Sequence, residues 1–396
     1  MTRVGGSGFS SLVMALATAF VGASCGSIAP SPPASPAASG APSSPAPTWQ
    51  RLDVGEATYL GTVEVPFVSV NAGVAYGSGF VLVGTSQDQT GEARGGVWST
   101  PDGTAWTRVA DEDNTFEEMY LAHVATDGRR LLALGRSSRG VDGRPAPSLA
   151  WVSDDGAHWE RHEVEATPLG RIDAGGIVGS PSGFVAWGAR ADGHNELLHS
   201  VDGVAWQTID YPGAADSDIS SVAPYGAGFL AVGAEHNEGA LIGGPSPAAR
   251  AWWSPDGQRW TSAPVPGGWA LHGVYPAAAG VFAVGAHECS RCVGPPLAWH
   301  STDGQGWSLL GDQEGHGSFV GSNGAQIASF AWQDDRSIAL SGDGRNWRKL
   351  AANLPVAEHD AGMIVGSDGV LLLIAKTPRV DGVEYVNSGA LFLRGS

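Results

Sequence analysis

Short apolar runs bounded by turn residues recur along the chain from residue 48 onwards. One set is headed by glycine: GFVLVG (79–84), GFVAWG (183–188), GFLAVG (228–233) and GVFAVG (280–285). A second apolar run follows each, often with a tryptophan near its end (Trp98, Trp151, Trp252, Trp299). A third run precedes each, such as DISSVAPYG at 218–226. Runs of four to eight residues with glycine, aspartate and proline between them predict strands, too short and too often interrupted for helices. Glycine and proline make up about one residue in five, which also argues against a helical protein, since glycine costs about 1 kcal/mol per helix position relative to alanine.

The runs belong to a repeat. TPDGTAW (100–106), SDDGAHW (153–159), SVDGVAW (200–206), SPDGQRW (254–260), STDGQGW (301–307) and SGDGRNW (341–347) share the form [ST]-x-D-G-x-x-W. Asp-Gly between two apolar runs signals a hairpin, because glycine supplies the positive φ the turn needs. The motif tryptophans, Trp106, Trp159, Trp206, Trp260, Trp307 and Trp347, are 40 to 54 residues apart. That period suits a four-stranded β-propeller blade. The ends bear on the count. TWQRL (48–52) resembles the strand after a motif, and SGALFLRGS (388–396) the strand before one. Together they would form one further blade, so the expectation is an all-β, seven-bladed β-propeller spanning 48–396, with N-terminal strand closure of the last blade.

The chain before the repeats reads differently. Residues 1–24 open with Arg3, continue through an apolar stretch from Phe9 to Val21, and end in Gly22, Ala23 and Ser24 ahead of Cys25. A basic start, a short apolar run and a small-residue exit read as an export signal. The segment resembles a bacterial lipoprotein signal peptide, in which the cysteine is acylated; Gly22 stands where that pattern usually has leucine. The resemblance implies lipidation of Cys25, plain secretion being the alternative. Residues 25–47 are almost entirely Ser, Ala, Pro and Gly, a disordered, extended linker. The expected place is therefore extracytoplasmic, on the bacterial cell membrane, with the lipid anchor as the only membrane contact.

Composition narrows the partners. Twenty-two Lys and Arg against forty Asp and Glu give a formal net charge of −18, and Lys349 and Lys376 are the only lysines. Such a chain repels phosphate backbones, which excludes nucleic acid as a partner. Cys289 and Cys292 form a C-x-x-C beside His287. Export favours a local disulfide, and a zinc site is the competing reading, although no second cysteine pair is present to complete it.

The repeats resemble the Asp-box, or BNR, repeats of sialidase-like propellers, with one residue fewer between Asp and Gly in every copy. The resemblance implies the fold and says little about chemistry. Asp102, Asp155, Asp202, Asp256, Asp303 and Asp343 are expected to accept N–H bonds inside their own hairpins, as structural residues of the box, rather than to bind a cation or sugar. Sialidases carry an arginine triad, a Tyr–Glu pair, an acid/base Asp and an Arg-Ile-Pro segment. Here the only Arg-Ile is Arg171-Ile172, followed by Asp173, and Arg171 is the only arginine at an expected inner-strand start. The guanidinium clamp for a carboxylate substrate is missing.

Function is expected on the face opposite the Asp-Gly hairpins, where 111–123, 171–173, 216–219, 269–272, 311–316 and 357–360 bring carboxylates and histidines. Asp173, Asp218, His272 and His359 are the candidate binding residues; no catalytic residue can be assigned. No cofactor is implied, calcium being the cation that acidic loops would suit. The reading favoured is a monomeric, non-enzymatic binding or scaffold module for a protein or glycan partner at the cell surface. Its alternatives are an extracellular carbohydrate-active hydrolase or lyase of sialidase-like fold, and an assembly factor for a membrane complex.

Overall fold

The structure is a computed structural model of the 396-residue chain. It describes residues 50–394 except 52–57, 61–62, 66–67, 88–92, 104–105, 112, 114, 118, 138–147, 192, 236–247, 269, 287–296, 313–317, 332–336, 353–360, 367–368, 377–378, 381–382 and 385–386. The signal segment, the linker, Cys25, Cys289, Cys292 and His359 lie outside the described residues.

Described strands pair into six large sheets, and the molecule is an all-β propeller of six blades, not the seven expected. Five sheets are four-stranded meanders, formed by residues 119–163, 172–209, 217–264, 270–312 and 318–351. The first is eight-stranded. It joins Val68–Tyr76, Gly79–Gln87, Ala93–Thr100 and Thr107–Arg108 to Ala361–Val365, Gly369–Lys376 and Asn387–Arg394. The repeat count had divided these strands between a first and a last blade. A parallel pairing of Asn387 with Val68 makes them one sheet. Gln50–Arg51 lies antiparallel on the tail strand, Gln50 opposite Ala390 and Arg51 opposite Gly389.

Five of the sheets lead with their inner strand: Met119–Thr126, Ile172–Ser180, Ser217–Tyr225, Ala270–Ala277 and Ser318–Ser322. In the eight-stranded sheet Val68–Tyr76 is the inner strand, and Ala361–Val365 lies beside it. Each packs beside the next, and Ala361–Val365 packs beside Val68–Tyr76, so the series closes on itself.

Apolar clusters fill the spaces between sheets. Leu132, Leu134 and Ala150 of the second sheet meet Ile177, Phe184 and Leu198 of the third. Val185 and Leu197 of the third meet Phe229, Ala231 and Trp252 of the fourth. Trp98, Trp151, Trp252 and Trp299 are fully buried. The indole N–H groups of the last three donate to the carbonyls of Thr115 (3.2 Å), Pro212 (2.8 Å) and Pro266 (2.8 Å), in the segment entering each sheet. Buried rings thereby bind the incoming chain as well as the core.

The repeated hairpins form one bonded unit. The Ser or Thr hydroxyl oxygen accepts the glycine N–H, as from Gly156 to Ser153 (2.8 Å) and from Gly203 to Ser200 (2.8 Å). Asp202 Oδ1 accepts the N–H groups of Val204 (2.9 Å) and Ala205 (2.8 Å), and Asp155, Asp256, Asp303 and Asp343 do the same for the residues two and three positions further on. In Asp102's turn, residues 104–105 lie outside the described set; its Oδ1 accepts the Thr100 hydroxyl (3.3 Å). The turn glycines carry φ between 65° and 83°, the left-handed region open to glycine. Indole N–H donation from Trp206, Trp260 and Trp307 to the glycine carbonyls completes the unit.

Candidate functional site at the inner strands

Six inner strands carry a β-bulge at the same place. The register slips between Val70 and Ala72, Leu121 and His123, Ala174 and Gly176, Ile219 and Ser221, Leu271 and Gly273, and Phe319 and Gly321. The extra residues are Asn71, Ala122, Gly175, Ser220, His272 and Val320. A bulge leaves one residue unpaired and re-aims its neighbours, which here places polar groups beside the centre of the ring. Asn71, Gly175, Ser220 and His272 are all exposed.

The bulges let side chains tie one sheet to the next. Asn71 Nδ2 donates to Leu121 O (2.6 Å), and His123 Nε2 donates to Ala174 O (3.0 Å). Each acceptor is the residue just before the next sheet's bulge. Burial holds His123 below the usual histidine range, although the bond to Ala174 and the charge of Asp173 pull the other way.

Asp173, Ala189 and Asn195 stand directly opposite one another across the third sheet, so their side chains share one face. Asn195 identifies that face as the one turned to the fourth sheet, because its Nδ2 donates to Asp218 Oδ1 there. Asp173 is exposed and Asp218 half-buried. Tyr211 donates to Ser217 O (3.0 Å) just before Asp218; burial, with the charge of Asp218, pushes the phenol up to about 12. Arg190 is engaged by Glu196 (3.1 Å), while Arg171 and Arg136 are exposed nearby in sequence and register. The site is therefore a polar seam between the third and fourth sheets, built on Asp173, Asn195 and Asp218.

Of the residues singled out in the sequence, Asp173 and Asp218 fall on adjacent inner strands, linked through Asn195. His272 occupies the bulge of the fifth sheet, where partial desolvation by the surrounding chain lowers its pKa although its side chain reaches solvent. Asn195 and Asn71 were missed, and His123 was noted only as part of the segment 111–123. The alignment of Asn195 with Asp173 depends on strand register, for which the order of residues carries no local signal. Among the described residues no three His, Cys, Asp or Glu side chains gather as a metal centre, and no helix is long and apolar enough to cross a membrane.

The fold has known counterparts. The β-propeller domain of the trilobed protease from Pyrococcus furiosus, whose structure reveals an open velcro topology, aligns with a TM-score of 0.52 at 10% identity, covering 81% of this chain and 97% of that one. YCF48 bound to a D1 peptide aligns at 0.48 and 12% identity, over 88% and 96%. A Trypanosoma rangeli sialidase in complex with sialic acid aligns at 0.45 and 11% identity, over 89% of this chain and 59% of that one. No protein-family profile matches the chain, and no curated protein sequence matches it. The first of these likenesses is one of β-propeller fold, and a sialidase stands among the other structural neighbours.

Proposed function

We propose that this propeller is a non-catalytic binding module, exported and held at the cell membrane through Cys25, that presents its inner-strand seam to a protein or glycan partner. One observation carries the reading: Asn195 of the third sheet reaches across to hold Asp218 of the fourth, on the face it shares with the exposed Asp173. A carboxylate pre-oriented by a neighbouring sheet, beside one left free in water, suits recognition of hydroxyl or amine donors without ordering cost at contact. The Ser/Ala/Pro-rich linker of residues 25–47 supplies reach from the membrane. The chain acts as a monomer in this reading and takes no cofactor, calcium being the one cation to test.

A second reading, an extracellular hydrolase or lyase, is favoured by the same pair of carboxylates, since glycoside hydrolysis needs two at a set separation. Incubating the full-length chain with an array of polysaccharides and surface proteins, read for both retention and product release, separates the two. Retention without release, reduced by Asp173→Asn and Asp218→Asn at unchanged melting temperature, supports the module. Product release that falls by orders of magnitude in either variant refutes it in favour of the hydrolase.

A further inference from the structure

We infer that a cleft on the rim, between the third and fourth sheets, takes a lysine side chain of a basic peptide segment. The cleft is separate from the inner-strand seam and binds whether or not that seam holds a partner. Its volume is about 640 Å³. One wall is the segment that follows the outer strand Gln207–Ile209 of the third sheet. The other is the turn that leads into the outer strand Thr261–Pro264 of the fourth.

The sequence leaves this space open. Where the chain enters the third sheet, Leu169 is buried in the apolar cluster that fills the preceding gap. The entry to the fourth sheet reads DYPGAAD (210–216), and after Tyr211 and Pro212 it offers only Gly213, Ala214 and Ala215. The backbone there is fixed. Ala214 N–H donates to Tyr211 O (3.1 Å) across a turn in which Gly213 takes φ 85°, and Asp216 N–H donates to Gly213 O (2.9 Å). Tyr211 and Pro212 are held in turn by the bonds to Ser217 O and from the Trp252 indole. Small side chains on a fixed backbone cannot fill the gap, so a cleft with apolar walls remains.

Charge decides what it holds. Among the described residues, Asp210 and Arg259 are the charged side chains that line the cleft. Arg259 is engaged, its Nε (2.8 Å) and Nη2 (2.6 Å) both donating to Asp256 Oδ2. Asp210 is exposed and has no partner among the described residues. The lining thus offers one unspent charge, and it is negative. Asp216 is exposed in the same segment, and the whole chain carries a formal charge of −18. That field draws in cations and repels carboxylate or phosphate groups. A lysine side chain meets both features, its methylene stem on Pro212, Ala214 and Ala215 and its ammonium at Asp210. Asp210, Gln258 and Arg259 are all exposed, so the cleft is open to water. An open cleft suits a side chain presented by a polymer better than a small free amine, which needs enclosure to offset its lost freedom.

The test is retention of the full-length chain on immobilised oligolysine, with oligoglutamate and a neutral β-glucan as comparison surfaces and spermidine as a free competitor. Asp210→Asn and Ala215→Leu, which fills the cleft without changing charge, are compared with the parent chain. Glu163→Gln, an exposed acid on the outer strand of the second sheet, is the charge control. Melting temperature is recorded for each. The expected result is retention on oligolysine that falls with added salt and is unchanged by Glu163→Gln. Asp210→Asn and Ala215→Leu should each weaken it about fivefold, the upper end of what an exposed ion pair supplies. Equal weakening by Asp210→Asn and Glu163→Gln, which remove the same charge, assigns retention to the field of the whole molecule and overturns the inference. Retention that survives Asp210→Asn, or that survives Ala215→Leu in a chain that melts normally, overturns it as well. So do silence on oligolysine and displacement by equimolar spermidine, the latter making the ligand a free polyamine. None of these outcomes bears on the seam, which Asp173→Asn and Asp218→Asn test.

Discussion

At the residue scale, glycine does two separate jobs in the repeat, and only one is visible in the motif. The Asp-Gly turn declares its glycine through the hairpin it closes. The glycine that ends each apolar run, Gly135, Gly188, Gly233 or Gly285, has no such signal, and its reason lies in the bulge across from it. The bulge tilts the first strand until the carbonyls of Tyr120, Asp173, Asp218 and Ala270 lie against those glycines, where a Cβ would overlap the oxygen. Gly233→Ala therefore forces the fourth sheet apart at backbone level and should cost about 3 kcal/mol, at the upper end of overpacking effects. Chemical denaturation would show it; a midpoint unchanged from the parent would remove the bulge from this account. The Asp residues of the turns make a second prediction. Partial burial pushes Asp256 up, but N–H bonds from Arg259 and Gln258 and the Arg259 guanidinium prevail and hold it down at about 2. Asp343, bonded first by Asn346 and Arg345, and Asp155, bonded first by His158, also sit below the usual carboxylate range. A pKa depressed in the folded state gives stability that is present above the unfolded value and lost as pH falls through the folded one. The window here runs from about pH 4 down to about 2. Between those limits Asp256→Asn should lose less stability with acid than the parent chain, as read by melting temperature at stepped pH. Equal acid slopes would mean that the turn carboxylate is not coupled to folding.

Among the elements, the inner strand of each blade is the part the sequence disclosed least. Strand runs, turns and the box were legible because each has a local signature: alternating apolar positions, Asp-Gly, and a tryptophan at fixed spacing. A bulge has none, since one added residue in a strand leaves composition and run length almost unchanged. Its consequences, the cross-sheet bonds of Asn71 and His123 and the alignment of Asn195 with Asp173, depend on register and could not be read from the order of residues alone. Asp173 and Asp218 were singled out because loops entering inner strands are where a propeller exposes its centre, and not because anything marked them as a pair. The third strand was more readable, through its tryptophans. Trp252 shows what they add: its ring is buried between the third and fourth sheets, edge-on to Tyr211 with centroids 5.6 Å apart, and its N–H is bonded to Pro212 O. Trp252→Phe keeps an aromatic ring but leaves that carbonyl without its donor and opens space beside Tyr211. A loss of about 2 kcal/mol is expected from the two effects together. Near-ultraviolet circular dichroism and a denaturant titration check it, and a loss under about 0.5 kcal/mol, within the range of ordinary surface substitutions, would show that the entry loop is held by other means.

For the whole molecule, period and closure proved to be different kinds of information. Six copies of the Asp-Gly motif at 40- to 54-residue spacing specify a propeller, because each four-stranded unit must bury its faces against neighbours. They do not specify how the two ends of the chain meet. The fragments TWQRL and SGALFLRGS implied a separate last blade, whereas the pairing of Asn387 with Val68 draws the tail strands into the sheet that begins the repeats, and the blades number six. What holds the ends is thus a strand interaction at the outside of the tail, where Gln50 and Arg51 lie on Ala390 and Gly389. An edge strand left uncovered exposes unpaired N–H and C=O groups, so this short cover matters more than its length suggests. Deleting residues 48–52 removes it. At about 1 kcal/mol for each lost backbone bond, the melting temperature should fall by only a few degrees in a chain of this size. The loss should be local in hydrogen exchange: amides of 387–394 and 369–376 should exchange faster, while those of 131–137 and 183–190, in sheets remote from the ends, keep their rates. A uniform change across all four segments would mean that the ring unfolds as one unit whichever strand is lost. No change in any of them would mean that the tail is held by its pairing with Gly369–Lys376 alone.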